Sequence, residues 1–266
     1  MSLPQDHYVI LSPHPDDAVF STFHVLLTKA DVQVITIFSG IPAAGVLTPL
    51  DRAVGATDSA EHMEHRRSDD RAALASVGRG IEQLDLLDLQ YRAEEIPGLA
   101  GAIARAPKRF IPLTAGEPAL KTPRGILRLQ LDRLIQGDVI IYAPVGIGGH
   151  PDHCDVAAMA CELVLEGKRV RFYADAPYFL RFGLPSWLGH IRNPKSDNYI
   201  QNRLMTLSER HLARHIVKLT SRQVKAKVAC ARHYTAEFEA INKDFEGAVS
   251  NEALVCFEAY WTLDEQ

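Results

Sequence analysis

A short motif of histidine, proline and aspartate occurs twice in this chain of 266 residues. The first copy, His14-Pro15-Asp16-Asp17, follows an apolar run near the N-terminus, and the second, His150-Pro151-Asp152-His153, follows another apolar run in mid-chain. Each copy is predicted to begin a helix directly after a strand. Because imidazole and carboxylate groups bind divalent metals and serve as acids and bases, the two copies predict one metal-dependent site if the fold joins them.

The spacing within each copy places pairs of side chains together. Residues three apart on a helical turn share a face, so His14 with Asp17, and His150 with His153, can each point the same way. One histidine and one carboxylate of the first copy with one histidine of the second would give three protein ligands. Catalytic zinc typically has three protein ligands and an open position for water, whose pKa falls to about 7.

The other polar residues of the motifs then have roles of their own. Asp16 and His150 are candidates for a base and for an electrophile or acid. Asp152 is a candidate to hydrogen-bond a histidine and fix its tautomer. The first copy alone would fit an ordinary helix start, where proline and acidic residues are favoured. Two copies after predicted strands favour a functional site.

Histidines outside the two motifs are given structural roles. His62 and His65 are expected on a solvated helix face, and His211 and His215 on the surface, because no glutamate follows His211 as a metalloprotease helix requires. His24 is expected to be packed within the first helix.

Apolar runs and turn residues predict alternating strands and helices. Strands are predicted at residues 7–11, 32–38, 84–89, 139–143 and 170–174, with strand character again at 253–261. Helices are predicted at residues 16–29, from Asp58 to Gly78, and at 122–135, 152–166, 204–218 and 221–234. This order predicts an α/β fold in which both motifs lie at carboxyl ends of strands, where open parallel sheets bind ligands.

Bulk composition is that of an ordinary globular protein. Of its residues, 47% are hydrophobic and 23% are charged, as is usual for globular proteins. The net charge of −4 does not favour binding to nucleic acid or to anionic membranes. We expect no transmembrane segment and no signal peptide, and therefore a cytoplasmic location. A single domain over residues 1–266 is expected, with 175–266 as a C-terminal elaboration. A long loop is expected over residues 39–57. Residues 175–200, rich in aromatic residues, proline and glycine, are expected to form either a lid or substrate wall or a loop-rich subdomain that packs on the sheet. Both segments are expected to set specificity.

At the two motifs the chain resembles the PIG-L/LmbE-like deacetylases, zinc-dependent amidases that remove N-acyl groups, commonly acetyl, from substrates containing an amino sugar. That family carries a His-Pro-Asp-Asp signature after its first strand and a His-x-Asp-His signature after a later one. The resemblance implies a Rossmann-like three-layer sandwich with a mostly parallel central sheet. It also implies a small-molecule glycoconjugate as substrate, and an oligomer is compatible with it.

The resemblance also implies a role for each motif residue. The implied zinc ligands are His14, Asp17 and His153. Asp16 would be the general base, His150 would polarise the carbonyl or protonate the leaving amine, and Asp152 would orient His150.

Weaker similarities lie elsewhere in the chain. The run from Arg66 to Asp69 is similar to an arginine-rich helix start of the family, which makes Arg66 or Arg67 a candidate substrate contact, with solvation as the alternative. A late family pattern is matched by Lys227, Cys230 and Tyr234. Departures, such as Ala18 where many members have glutamate, leave the acyl group and the sugar open.

Two alternatives to an amidase remain. Two histidines and one carboxylate also form the iron(II) triad of non-haem oxygenases. A non-catalytic carbohydrate-binding or regulatory protein that keeps the pocket would carry the same residues.

Overall fold

A computed structural model of the protein describes residues 6–94, 124–208 and 212–263. A seven-stranded sheet lies at the centre of these residues. The strands are β1 (His7–Ser12), β2 (Asp31–Thr36), β3 (Gly80–Gln83), β4 (Val139–Pro144), β5 (Arg169–Tyr173), β6 (Leu212–Lys218) and β7 (Phe257–Leu263). The order across the sheet is β3-β2-β1-β4-β5-β7-β6, with β1 to β5 parallel and β7 antiparallel to both neighbours. The predicted Rossmann-like α/β fold is confirmed.

Helices fill the connections and cover the sheet. The helices are α1 (Asp17–Ser21), α2 (Phe23–Thr28), α3 (Pro49–Ala53), α4 (Ser59–Ser76), α5 (Leu89–Glu94), α6 (Arg124–Leu134), α7 (Pro151–Leu165), α8 (Ser186–Gly189), α9 (Pro194–Leu204), α10 (Ser221–Ala231), α11 (Thr235–Asp244) and α12 (Glu252–Val255), with a 3₁₀ turn at Tyr178–Leu180. The helix α4 packs against β3, α7 packs against β4 and β5, and α1 and α2 pack against α10. Within the described ranges, each helix is too short or too polar to cross a bilayer.

The central strands are buried on both faces. Every residue of β4 is buried, as is every residue of β1 after His7, which explains why both read as continuous apolar runs in the sequence. The predictions of strands at 7–11, 139–143 and 170–174 are confirmed to within one residue at each end.

The strand order places both motifs in one crevice. From β1 the chain steps outward to β2 and β3, then returns to β4 on the other side of β1. Strand order therefore reverses between β1 and β4, and ligands of such sheets bind outside the carboxyl ends at this point. Each motif directly follows one of these two strands, so residues far apart in sequence become neighbours.

The prediction of one helix over residues 16–29 is wrong, because the helix is interrupted at Thr22. The Thr22 hydroxyl donates to the Ala18 carbonyl at 2.8 Å, and the amides of Phe23 and His24 donate to the buried Glu258 carboxylate at 3.0 and 2.9 Å. A partner more than 230 residues away thus supplies the cap of a new helix, and local sequence carries no sign of it.

Two further element predictions are wrong. The third strand is residues 80–83 and not 84–89, since the chain leaves the sheet edge after Leu84 and enters α5 at Leu89. Residues 212–218 form the edge strand β6 and not a helix, because pairing with β7 satisfies their backbone groups. The Thr122-Pro123 cap predicted for α6, and His211, lie outside the described residues.

The expected long loops contain helices. Residues 39–57 include α3, which begins after Thr48, and residues 175–200 include α8 and the start of α9.

Candidate active site

The first motif is a tight turn between β1 and α1. The Ser12 hydroxyl donates to the His14 carbonyl at 2.8 Å and accepts from the Ala18 amide at 3.0 Å, which fixes both ends of the turn. The His14 amide donates to Asp17 Oδ2 at 2.8 Å. Asp16 has φ of 109°, a conformation rare for residues with a side chain and common at functional sites.

The second motif begins α7 with a histidine cap. His150 Nδ1 accepts the amide N–H of Asp152 at 3.2 Å. Two glycines that precede this motif make room for side chains of other elements. A Cβ on Gly148 would lie 2.6 Å from the Tyr178 ring, and one on Gly146 would lie 2.7 Å from the Arg203 guanidinium.

Three atoms from the two motifs form a nearly equilateral triangle. His14 Nδ1 lies 3.4 Å from Asp17 Oδ2, His153 Nε2 lies 3.3 Å from the same oxygen, and the two nitrogens are 3.2 Å apart. All three side chains are buried. Tetrahedral zinc bonds of about 2.0–2.1 Å place neighbouring ligand atoms about 3.3 Å apart. The triangle therefore fits a single zinc-sized ion.

Each histidine of the triangle has a carboxylate at its other nitrogen. Asp152 Oδ2 lies 3.0 Å from His14 Nε2, and Asp175 Oδ1 lies 2.7 Å from His153 Nδ1. Carboxylates in this position fix the orientation and tautomer of histidine ligands. Asp152 was expected to orient His150 through its side chain, but its carboxylate contacts His14.

Asp175 was missed at the sequence level. Its second oxygen accepts the amides of Gly146 at 2.8 Å and Ile147 at 2.9 Å, so it also holds the loop that precedes the second motif. A signal was available, because Asp175 directly follows the predicted strand at 170–174, at the same edge of the sheet as both motifs.

Charges within the cluster shift its ionisation strongly. Although burial opposes a charged ring, Asp88, Asp152 and Asp17 raise the pKa of His14 to about 9. Burial likewise disfavours a charged His153, but Asp17 and Asp175 hold its pKa well above the ordinary value. The pKa of Asp17 lies well below its usual range, since His153 and His14 outweigh the effect of burial.

Asp16 and His150 shift toward their neutral forms. Burial, followed by the adjacent Asp17, raises the pKa of Asp16 well above its ordinary value. Burial and the nearby His14 lower the pKa of His150 well below its ordinary value. Both residues line the cavity that contains the triangle.

The two candidate arginines lie in different places. Arg66 lines the cavity, with its Nε 3.2 Å from Glu237 and its other nitrogens 3.8 Å from Asp16 and from Asp88. Arg67 instead bonds Asp85 at 2.6 Å and the Ser39 carbonyl at 3.0 Å, and is not among the lining residues.

Sequence reasoning missed several polar residues of the cavity wall. His62, expected on a solvated face, is buried and lies 2.9 Å from Glu237 on α11. Asp51 on α3 and Asp88 before α5 also line the cavity. These residues follow no recognisable motif, and only the fold brings them to the site.

The residues of the late family pattern hold the scaffold behind the site. Lys227 and Glu258 form a buried ion pair of 2.5 Å, which also holds His24, so the packed role expected for His24 is confirmed. The Tyr234 hydroxyl donates to Asp70 at 2.9 Å, and burial raises the pKa of Asp70 to about 6.

Comparisons with known proteins agree with this architecture. The family model for PIG-L, described as GlcNAc-PI de-N-acetylase, matches residues 9–164, which include both motifs. No curated protein matches the chain in sequence.

Solved structures share the fold over nearly the whole chain. Three of them are the A40926 pseudoaglycone deacetylase Dbv21 (TM-score 0.64), a deacetylase–teicoplanin complex from teicoplanin biosynthesis (0.66) and the zinc-inhibited form of the teicoplanin deacetylase Orf2 (0.65). Each is 20% identical to this chain, and each comparison covers 98% of both chains.

Proposed function

The chain belongs to the PIG-L family, and on this premise we propose that it is a metal-dependent hydrolase that removes an N-acyl group, most simply acetyl, from an amino-sugar substrate. The observation that carries the proposal is the triangle of His14, Asp17 and His153, each histidine supported by a carboxylate. Such a set has the donor chemistry of a catalytic zinc site with three protein ligands.

The proposed cofactor is Zn²⁺ held by these three side chains. Zinc bound there would supply a water of lowered pKa and a Lewis acid for the amide carbonyl. The carboxylates of Asp152 and Asp175 would keep the two histidines in the tautomers that leave a lone pair toward the ion.

Asp16 is the proposed general base. It lines the cavity beside Asp17, and burial next to this second carboxylate raises its pKa. A divalent ion in the triangle would oppose this shift and favour the ionised carboxylate that a general base requires. Removal of a proton from water by Asp16 would produce the nucleophile that attacks the acyl carbon. The proton held by Asp16 could then reach the departing amine.

His150 is the proposed donor to the substrate carbonyl. Its Nδ1 is occupied by the Asp152 amide, so the neutral ring carries its proton on Nε2. The lowered pKa favours this neutral form. A donor placed where negative charge develops stabilises the transition state of acyl transfer. The same proton is available for the leaving amine.

Arg66 remains a proposed positioning residue of the cavity, acting through the carboxylates it contacts. Arg67, which bonds Asp85 outside the cavity, is not included in the proposed site.

The proposal is tested with purified protein loaded with zinc or with iron(II). Substrates would include N-acetylglucosamine glycosides and an N-acylglucosaminyl glycopeptide, since deacetylases of the teicoplanin and A40926 pathways share the fold. We expect zinc protein to release one free amine for each carboxylic acid, without oxygen consumption. Iron-dependent oxygen uptake would favour the oxygenase alternative. Metal-loaded protein that releases no amine from the entire panel would favour a binding protein.

A further inference from the structure

The cavity wall beyond the proposed metal ligands is rich in negative charge. Among the described residues that line it, Arg66 is the single arginine or lysine. A divalent ion in the triangle would offset only part of the opposite charge. The carboxylates that line the cavity besides the proposed ligand Asp17 are Asp16, Asp51, Asp88, Glu237 and Asp244.

Arg66 does not provide a site for an anionic substrate group. Three carboxylates already surround its guanidinium, at 3.2 Å for Glu237 and 3.8 Å for Asp16 and Asp88. An entering phosphate would have to compete with all three. GlcNAc-PI, for which the family is named, carries such an anionic group, so the electrostatics here point to a different class of substrate.

Asp51 provides an independent sign of a ligand with positive charge. It is 2% exposed and lines the cavity, and the Tyr91 hydroxyl, a neutral group, is its hydrogen-bonding neighbour. Among the described residues, no lysine or arginine lies within ion-pair distance of it. Its ion-pair partner among the described residues is His62, whose Nε2 lies 3.7 Å from Asp51 Oδ1 and 2.9 Å from Glu237. A buried carboxylate without a dedicated cation is costly, and a ligand that supplies the charge would remove that cost.

The position of Asp51 is fixed by its surroundings. The Thr48 hydroxyl caps α3 by accepting the Asp51 amide at 3.2 Å, and it donates to Gln90 at 2.7 Å. The short helix is thereby tied to the start of α5. Residues 39–57, which were expected to set specificity, thus place one charged group on the cavity wall.

We propose that the cavity selects an N-acylated amino sugar that carries at least one further, protonated amino group, and that Asp51 receives this ammonium group. This inference rests on the proposed deacetylase function and extends it to a substrate class. The preferred substrates are cationic amino-sugar oligosaccharides, whereas neutral and phosphorylated amino sugars are poor substrates.

Substrates that differ in charge test the inference. They are chitobiose with one N-acetyl group and one free amine, neutral N,N'-diacetylchitobiose, and anionic N-acetylglucosamine 1-phosphate. For zinc-loaded protein at low ionic strength, kcat/KM for the cationic disaccharide should exceed that for the neutral one at least tenfold. Added salt should reduce this ratio because it screens the charges, and the phosphate should be the poorest substrate.

The Asp51→Asn variant should lower the cationic-to-neutral ratio at least fivefold. Asp138→Asn is the matched control, because Asp138 is exposed and bonds Arg169 away from the cavity. Similar ratios in wild type and Asp51→Asn, with acetate still released, would overturn the inference and leave the deacetylase proposal intact. If Asp51→Asn does not fold, a salt-independent ratio in the wild type would overturn it equally.

A binding measurement keeps the two proposals separable. If no substrate is turned over, the deacetylase proposal fails, and calorimetric titration with fully deacetylated chitobiose tests the cation site alone. At least tenfold weaker binding to Asp51→Asn than to wild type would support the site. Equal affinity, or no binding to either protein, would refute it.

Discussion

Asp152 Oδ2 lies 3.0 Å from His14 Nε2, and this contact joins the two motifs across the crevice between β1 and β4. The other nitrogen of the His14 ring faces Asp17 and His153. Asp152 also accepts the Leu89 amide at 3.0 Å, so the region before α5 is held by the same carboxylate. The Asp152 side chain therefore orients a candidate metal ligand and also holds Leu89 in the wall of the cavity.

The Asp152→Asn variant should bind zinc about 10–100-fold more weakly, because carboxylates behind ligand histidines contribute about that much to metal affinity. The measurement is competition with a chromophoric chelator at fixed pH. Asp85→Asn is a suitable control, since the Asp85 side chain is 80% exposed and forms an ion pair with Arg67 outside the cavity. Unchanged affinity in Asp152→Asn would remove its proposed role.

Asp175→Asn tests the second supporting carboxylate. The variant can keep one oxygen for the amides of Gly146 and Ile147, while its NH₂ group would face His153 Nδ1. His153 would then carry its proton on Nε2, the nitrogen that faces the triangle. We expect about 10–100-fold weaker zinc binding with a folded protein. Zinc affinity equal to that of the wild type would show that the tautomer of His153 is set by other contacts.

Asp16→Asn separates chemistry from metal binding. Asparagine tolerates positive φ better than alanine, so this variant preserves the turn at φ 109°. Turnover should fall by about 10²–10⁴-fold, the usual contribution of a general base, while zinc content stays the same. Parallel measurements of kcat and of zinc by elemental analysis decide the point. A variant with full turnover would exclude Asp16 as the base.

Glu258 should make the free energy of unfolding depend on pH in the acid range. Burial alone would raise its pKa, but Lys227 and His24 lower it to about 2. Because the folded pKa is below the unfolded value of about 4.3, the stabilisation is complete above pH 4.3 and is lost as pH falls toward 2. The effect amounts to on the order of 3 kcal/mol.

Urea unfolding at pH 7, 5, 4 and 3 measures this effect. Glu258→Gln should destabilise the protein by about 3–5 kcal/mol at pH 7, since it leaves Lys227 buried and unpaired, and should flatten the decline between pH 5 and 3. Glu252→Gln, at an exposed position of α12, should behave like the wild type. Parallel pH curves for Glu258→Gln and wild type would contradict this assignment.

The elements that were predicted well from sequence are those whose own residue pattern shows how they are buried in the fold. The strands β1 and β4 are apolar throughout because both faces are covered, and the His-Pro-Asp copies follow them directly. In contrast, β6 is an edge strand whose stability comes from pairing with β7, so its residues carry little strand pattern. The break at Thr22 likewise depends on Glu258, which is distant in sequence.

The same reasoning explains which site residues were found. The six histidines and aspartates of the motifs lie on two turns, and their spacing was visible in the sequence. Asp175, Asp51 and Glu237 each come from a different element and meet the motifs only through the strand order and the packing of α3 and α11. Asp175 alone carried a positional signal, as a carboxylate directly after a strand.

The central claim is that both motifs bind one ion, and anomalous diffraction from zinc-soaked crystals tests it most directly. The account predicts a single strong peak within about 2.0–2.2 Å of His14 Nδ1, Asp17 Oδ2 and His153 Nε2. The peak should disappear in His153→Ala. A fully occupied zinc elsewhere in the molecule, with no density inside the triangle, would contradict the account.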